Sequence, residues 1–390
     1  MAASSNSHNT TITSAFLITR HGARQAINVP NHNIHWPSHK HKDYWESEAG
    51  MLTPLGVIQL YNLGAFFRKR YPWVSVNNVT CFSTARSRTL NSCWSLCLGL
   101  LPNTPIKFLS LKYDDHCSGN LCCDKDVCCI KYFIKGKDPL FGNPTEMNKD
   151  YKVNINKSPY LTSLVDDPVA IGLINRLSKN GHFKIKRDSV TTIAKLKDIY
   201  GQIQVDNQLY IPSTSSLIAH YGITDAELDI INKVGAEVGC LRSIPYTNKL
   251  SDRGYNMEQG GGILSYIKNK LQQQPIANSF TELSCHDTTL ISLAANLGIR
   301  LCPIPRFAAY VLIERKTVYN DSMMISDDVD FYYVSDPFDD EHTYASKTWP
   351  PLNRRDEYIA WSSQLLTPGT FTTADFLRVL PADLPPIPDI

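Results

Sequence analysis

The chain has 390 residues, of which 43% are hydrophobic and 19% charged, too apolar for wholesale disorder and long enough to bury a sizeable core. Lys and Arg number 39 against 37 Asp and Glu, a net charge of +2, so there is no bulk electrostatic case for nucleic acid or an anionic membrane as the main partner. No period of about 20–50 residues recurs, which removes repeat architectures, and the length fits two domains or one α/β core with a large insertion.

The start, MAASSNSHNTTITS, is polar and lacks the apolar h-region of a signal peptide. No integral membrane segment is expected, because the longest nearly apolar stretch, Trp94 to Leu101, is about half of what crossing a bilayer requires. Residues 15–19 form a short apolar run without helical periodicity, followed abruptly by Arg20-His21-Gly22-Ala23-Arg24. This reads as a buried strand ending in a polar loop. In open α/β sheets ligands sit beyond the carboxyl ends of the strands, so RHGAR is nominated as a site. His32, His35, His39 and His41 follow in a polar loop with no carboxylate or cysteine regularly spaced among them, which favours a solvated loop beside the site over a metal site.

Thr53-Pro54 opens a helix, Thr as N-cap and Pro at the first position, and Arg68-Lys69-Arg70 closes it at the negative end of its dipole. Residues 79–83 read as a second strand and 86–100 as a second amphipathic helix. From 105 to 244 the character changes to Lys- and Asn-rich sequence with helix-like stretches at 161–179, 189–204 and 225–238, expected to be a mainly helical insertion. Five of the 11 cysteines, Cys117, Cys122, Cys123, Cys128 and Cys129, crowd there as C-x4-CC-x4-CC. That spacing does not supply the C-x2-C pairs of a zinc site and fits a disulfide-stapled loop better, with reduced thiols as the third reading. Cys93 and Cys97, four apart on an apolar helix, read as core residues. Four sequons, at Asn9, Asn78, Asn156 and Asn320, are no more than an Asn-rich chain yields by chance.

Gly260-Gly261-Gly262 enters a helix without forming a phosphate loop. Residues 280–285 read as a strand, and His286-Asp287 sit where it passes into a helix at 290–297, beside free backbone N–H groups and the positive dipole end, a place suited to phosphate. Strands at 307–314 and 331–334 complete the core.

Phosphoryl transfer needs a nucleophile, several donors on the equatorial oxygens and an acid for the leaving oxygen. Arg20, Arg24, His21, His286 and Asp287 supply these residue types: a neutral imidazole as nucleophile, forked guanidinium groups matching phosphate oxygens, and a carboxyl that must be protonated to act as an acid.

FLITRHGAR, then LTPLGVIQLYNLGAFFRKRY, then LSCHDTTL, followed by PIPRFAAYVLIE, together resemble the histidine acid phosphatases, the branch of the histidine phosphatase superfamily with prostatic and lysosomal acid phosphatases. The likeness runs from about residue 15 to 380. It implies a doubly wound α/β core with a mostly parallel sheet flanked by helices, residues 1–104 and 245–390, and an inserted helical cap, 105–244. It also implies a phosphohistidine intermediate with His21 as nucleophile, Asp287 as proton donor, and Arg20, Arg24 and His286 as phosphate ligands. It implies no metal and no cofactor. Dimerisation is common among the animal relatives, and the family resemblance implies a secreted or lysosomal protein.

One departure stands out. The family places a phosphate-binding arginine before a Ser-Thr pair, where this chain has Phe82-Ser83-Thr84. Loss of a charge-assisted donor could cost on the order of 10²–10³ in rate. Arg86 is the sequence candidate to reach in, whereas Arg88 matches a family arginine taken to be structural; Ala23 is a variant the family also uses. Three readings follow: an acid phosphatase hydrolysing phosphate monoesters, a descendant that binds phosphorylated ligands without efficient turnover, and a mutase-like phosphotransferase, against which the His-Asp pair and the long insertion argue.

Overall fold

A computed structural model describes residues 9–25, 50–111, 126–133, 138–141, 154–179, 189–208, 217–242, 261–273, 278–297, 304–320, 323–334 and 371–380. The histidine-rich loop, Cys117, Cys122, Cys123 and the Pro-rich tail beyond residue 380 lie outside them.

The core is an eight-stranded mixed sheet. Its strands are β1 (Asn9–Arg20), β2 (Val79–Ser83), β3 (Ile106–Leu111), β4 (Cys128–Phe133), β5 (Ser279–Cys285), β6 (Tyr310–Asn320), β7 (Met323–Val334) and β8 (Phe371–Thr372). The order across the sheet is β3-β4-β2-β5-β1-β6-β7-β8. The first five in that order run parallel to one another, and β6, β7 and β8 are antiparallel. Helices α1 (Pro54–Arg70) and α2 (Ser87–Leu100) cover one face. The other face is covered by α9 (Gly262–Gln272), α10 (Asp287–Asn296) and α11 (Thr373–Val379). This is the doubly wound α/β arrangement, and its strands bury apolar side chains on both sides, as parallel strands must.

β6 and β7 extend well past the expected 307–314 and 331–334. Their outer halves mix charged residues with exposed apolar ones such as Met324 and Ile325, and ion pairs bridge the hairpin there, including a two-pronged Arg315–Asp327 pair at 2.7 Å. β3 and β4 fall inside the 105–244 stretch that reads as helical by sequence, and both belong to the sheet.

Beyond them the chain is helical: α3 (Pro159–Ser163), α4 (Pro168–Lys179), α5 (Val190–Ile193), α6 (Leu196–Gln208), α7 (Leu217–Tyr221) and α8 (Asp225–Arg242). The expected helix at 161–179 is broken because Pro168 cannot continue a preceding helix, and Asp167 caps the new one by accepting from the Ala170 N–H at 2.8 Å. These helices pack on one another around Leu173, Leu177, Ile231 and Val234, a core separate from the two that sandwich the sheet.

α1 and α2 approach each other closely. A Cβ on Gly64 would lie 2.0 Å from the Leu96 carbonyl, and one on Gly99 would lie 2.0 Å from the Tyr61 carbonyl. Only hydrogen in place of a side chain permits this contact. Arg70 of the basic triplet reaches the fully buried Glu314 with a two-pronged bond at 2.7 and 2.8 Å, a structural role for the end of α1.

Candidate active site

Register brings three strand ends to one edge. Arg20 pairs with Cys285, Ser83 with Ser284, and Thr19 with Ser284. The residues that leave the sheet there, His21, Thr84 and His286, therefore emerge side by side. Backbone bonds fix the exits: His21 N–H donates to Cys285 O at 3.0 Å and Thr84 N–H to Ser284 O at 3.2 Å.

The turn after His21 is held by the start of α1. Thr53 N–H and its hydroxyl both donate to Ala23 O at 2.9 Å, and Gln59 Oε1 accepts from Ala23 N–H at 2.8 Å. Gly22 N–H donates to Ser92 Oγ of α2 at 3.1 Å. The fit requires glycine: a Cβ on Gly22 would lie 2.5 Å from Gly56 O, and one on Gly56 would lie 2.2 Å from Ala23 O. The RHG and TPLG motifs are thus two sides of one contact.

His21 is 2% exposed. Its Nδ1 must donate to Gly22 O, at 2.9 Å, because a carbonyl only accepts. That fixes the tautomer and leaves Nε2 with a free lone pair. Burial, followed by the charges of Arg20 and Arg24, holds the ring well below the usual histidine range, so it stays neutral in mild acid.

Cations surround this ring. Arg20 pairs with Asp287, Nη2 to Oδ2 at 3.0 Å, donates to the Pro305 carbonyl, and lies 4.2 Å over the ring of Phe307. Arg24 is 5.8 Å from the same ring, and burial, then Arg20, depresses its guanidinium to about 9. Phe307 also stacks 5.7 Å from His21, so one apolar plate aligns three polar groups. The turn that presents it puts Ala308 at φ 60°, a left-handed position tolerable because the side chain is small, and Ala308 N–H donates to His21 O at 3.1 Å.

The His286 ring stands 5.6 Å from that of His21. Its Nδ1 accepts from Arg88 Nη2 at 3.4 Å, so Nε2 carries the hydrogen and donates to Thr84 Oγ1 at 3.0 Å. Thr84 in turn meets Thr89 Oγ1 at 2.7 Å, which donates to Arg86 O at 2.8 Å, closing a chain of donors. Burial, then Arg88, pushes His286 down to about 3. Asp287 opens α10, its Oδ1 accepting from Thr288 N–H at 2.7 Å.

Arg20, His21, Arg24, His286 and Asp287 therefore share one pocket edge. Arg86 stands exposed at the N-cap of α2, where its backbone carbonyl does the work. Arg88, the arginine expected to be structural, is the one on His286. Arg24 Nε and Arg88 Nε are buried with no hydrogen-bond partner among the described residues, donors suited to an anion's oxygens. Phe82 is fully buried, its ring 5.7 Å from that of Tyr266. Sequence reasoning gave Thr84 and Phe307 no role in the site and Arg88 only a structural one, although Thr84 lies in the Ser-Thr pair and Phe307 in the PIPRFAAY block.

Residues 11–334 match the family described as histidine phosphatase superfamily, branch 2. The chain belongs to that family. Among solved structures, a Hafnia alvei phytase in complex with myo-inositol hexakis sulphate superposes with a TM-score of 0.59 at 13% identity, covering 95% of this chain and 96% of that one. A Citrobacter braakii phytase gives 0.58 at 14% identity over 95% and 97%. No curated protein matches the sequence. None of the described helices is long and apolar enough to cross a membrane.

Proposed function

We propose that the protein is an acid phosphatase that hydrolyses phosphate monoesters through a phosphohistidine on His21. The observation that carries this reading is the state of His21: buried, neutral, Nδ1 committed to Gly22 O, and ringed by Arg20, Arg24 and Arg88. Substrate phosphate sits among the guanidinium groups, where the Nε donors of Arg24 and Arg88, without a partner among the described residues, take its oxygens. His21 Nε2 attacks phosphorus, the P–O bond to the leaving group breaks, and a proton from Asp287 neutralises the departing alkoxide.

Asp287 faces Arg20 as an ion pair, so its role as an acid depends on the arriving phosphate drawing Arg20 Nη2 away. Water, deprotonated by Asp287, then attacks the phosphohistidine and returns His21 Nε2 to its lone-pair form. No step of this sequence calls for a metal ion.

The structural likeness to phytases makes inositol phosphates a substrate class to try beside simple monoesters. A second reading, a phosphate-binding relative with impaired turnover, draws its support from Phe82, whose apolar ring fills the expected arginine's position. The discriminating experiment is hydrolysis of an aryl phosphate and of phytate from about pH 4 to 8, with rapid-quench trapping of labelled phosphate on the protein. Acid-side turnover with label on His21, both lost in His21→Ala, is expected. Phosphate binding without label or turnover would establish the second reading, and turnover that survives His21→Ala would sink both.

A further inference from the structure

Four buried cysteines that the chemistry above does not use meet beneath the α1–α2 layer. Cys81 comes from β2, Cys128 from β4, and Cys93 and Cys97 from successive turns of α2. They are 1%, 4%, 0% and 0% exposed, and all four are free thiols. Cys81 is in register with Ile130, so Cys128, two residues earlier on β4, points to the same side of the sheet. The Sγ of Cys81 lies 3.4 Å from that of Cys97 and 4.0 Å from that of Cys128, and Cys97 to Cys128 is 3.9 Å. Cys93 Sγ is within 4.8 Å of both Cys81 and Cys97.

We propose that Cys81, Cys93, Cys97 and Cys128 bind one zinc ion as a structural tetrathiolate site that ties α2 to β2 and β4. Tetrahedral zinc with Zn–S bonds of about 2.3 Å places its sulfurs about 3.8 Å apart. The separations among Cys81, Cys97 and Cys128 bracket that edge, whereas a disulfide needs about 2.0 Å and joins only two sulfurs. The ion replaces four thiol protons, which leave to solvent as Zn²⁺ enters.

A second group is unsatisfied at the same place. Glu282 is the register partner of Cys81 on the same side of the sheet, is fully buried and acts on the Cys93 thiol electrostatically. Its Oε1 accepts from Thr19 Oγ1 at 2.7 Å, while Oε2 has no hydrogen-bond partner among the described residues. The local-spacing rule for zinc motifs cannot find this site, because its ligands come from strand, helix and strand, with Cys81 and Cys128 47 positions apart.

The site is separate from His21 and does not rest on the phosphatase reading. β2 and α2 carry Thr84 and Arg88, so the ion fixes the elements that hold those residues. The test is elemental analysis of the full-length protein purified from zinc-supplemented cells. About one zinc per chain is expected, resistant to chelator in the native state because the sulfurs are buried, and released to a chromogenic chelator on unfolding. Cys81→Ser with Cys97→Ser should reduce it to about none, while Cys285→Ser, buried on the opposite face, keeps it.

Should the core variants not fold, cobalt-grown wild type replaces them: tetrahedral thiolate bands in the visible spectrum are expected. Metal-free wild type without those bands, zinc retained in the double variant, or a denatured mass showing Cys81 linked to Cys97 would each overturn the assignment.

Discussion

β1 and β2 end at the same edge of the sheet, yet they deliver charge in different ways. β1 delivers it from the strand itself: Arg20 is level with Cys285, locked by its ion pair to Asp287 and by the Phe307 plate, and His21 follows at once. β2 contributes an aromatic. Phe82 is level with Leu283 and hence with Ile18, one side-chain layer beneath Arg20 on the same face, where it packs on Tyr266. The cation on this side comes instead from Arg88, on the first turn of α2. A strand-borne cation is positioned by backbone pairing, whereas a helix-borne one is only as well placed as the helix, so the two exits should respond differently to damage.

The largest effect should come from the β1 exit. His21→Ala removes the neutral imidazole whose Nε2 lone pair is left free, and turnover should fall by about 10⁴-fold or more while the fold persists. Steady-state kinetics with circular dichroism checks this; a loss under tenfold would mean that another group attacks phosphorus.

On the β2 side, Arg88→Ala should cost about 10²–10³ in kcat/KM, the scale of one lost donor to a transferring phosphoryl group. Arg86→Ala should change it less than about threefold, since that side chain is exposed and only its carbonyl is used, which alanine retains. Reversed results would show that Arg86 swings in to serve the site and that Arg88 is structural after all.

The contrast also explains what could be read from the sequence. The β1 and β5 exits were legible because an apolar run switches abruptly to RHGAR and to HD, and a doubly wound sheet places such switches at the site. Arg86 and Arg88 were not distinguishable, because two arginines two positions apart at the start of a helix differ only in which way the first turn faces. β3 and β4 were hidden by mixed polarity, with Lys107 and Lys131 interrupting their apolar runs. Cys93 and Cys97 read as ordinary core residues and Cys128 as part of a stapled loop, since nothing local announces that strands 47 positions apart bring their sulfurs together.

Phe82→Arg sharpens the comparison directly. Two residues along a strand span about 6.6 Å, within an arginine's reach, so a guanidinium rooted in the Ile18 layer can rise to the level of Arg20. The cost is local: the ring leaves Tyr266, and the new charge stands beside Lys131, the register partner of Phe82, whose Nζ is 5.7 Å from the ring. Stability should fall by about 2–4 kcal/mol in denaturant melts, and adding Lys131→Gln should restore part of it. If the variant is active, kcat should rise, because a donor has been added where the transferred group gathers charge; a destabilised variant with unchanged kcat would show that Arg88 already fills that need.

The smallest effect is a shift of pH profile. His21 must be neutral to attack, and burial followed by Arg20 and Arg24 lowers its pKa below 6.5, so the acid limb of kcat/KM should lie below that value. Arg24→Gln removes one repelling charge and raises the His21 pKa, so the acid limb should move toward neutral pH, while kcat on the plateau falls from the lost phosphate donor. Burial is the larger cause and is unchanged by this substitution, so the limb should stay below its unperturbed position. An acid limb that does not move in Arg24→Gln would show that a group other than His21 sets it, while Asp287→Asn, which removes the proton donor, should abolish the basic limb and leave the acid one.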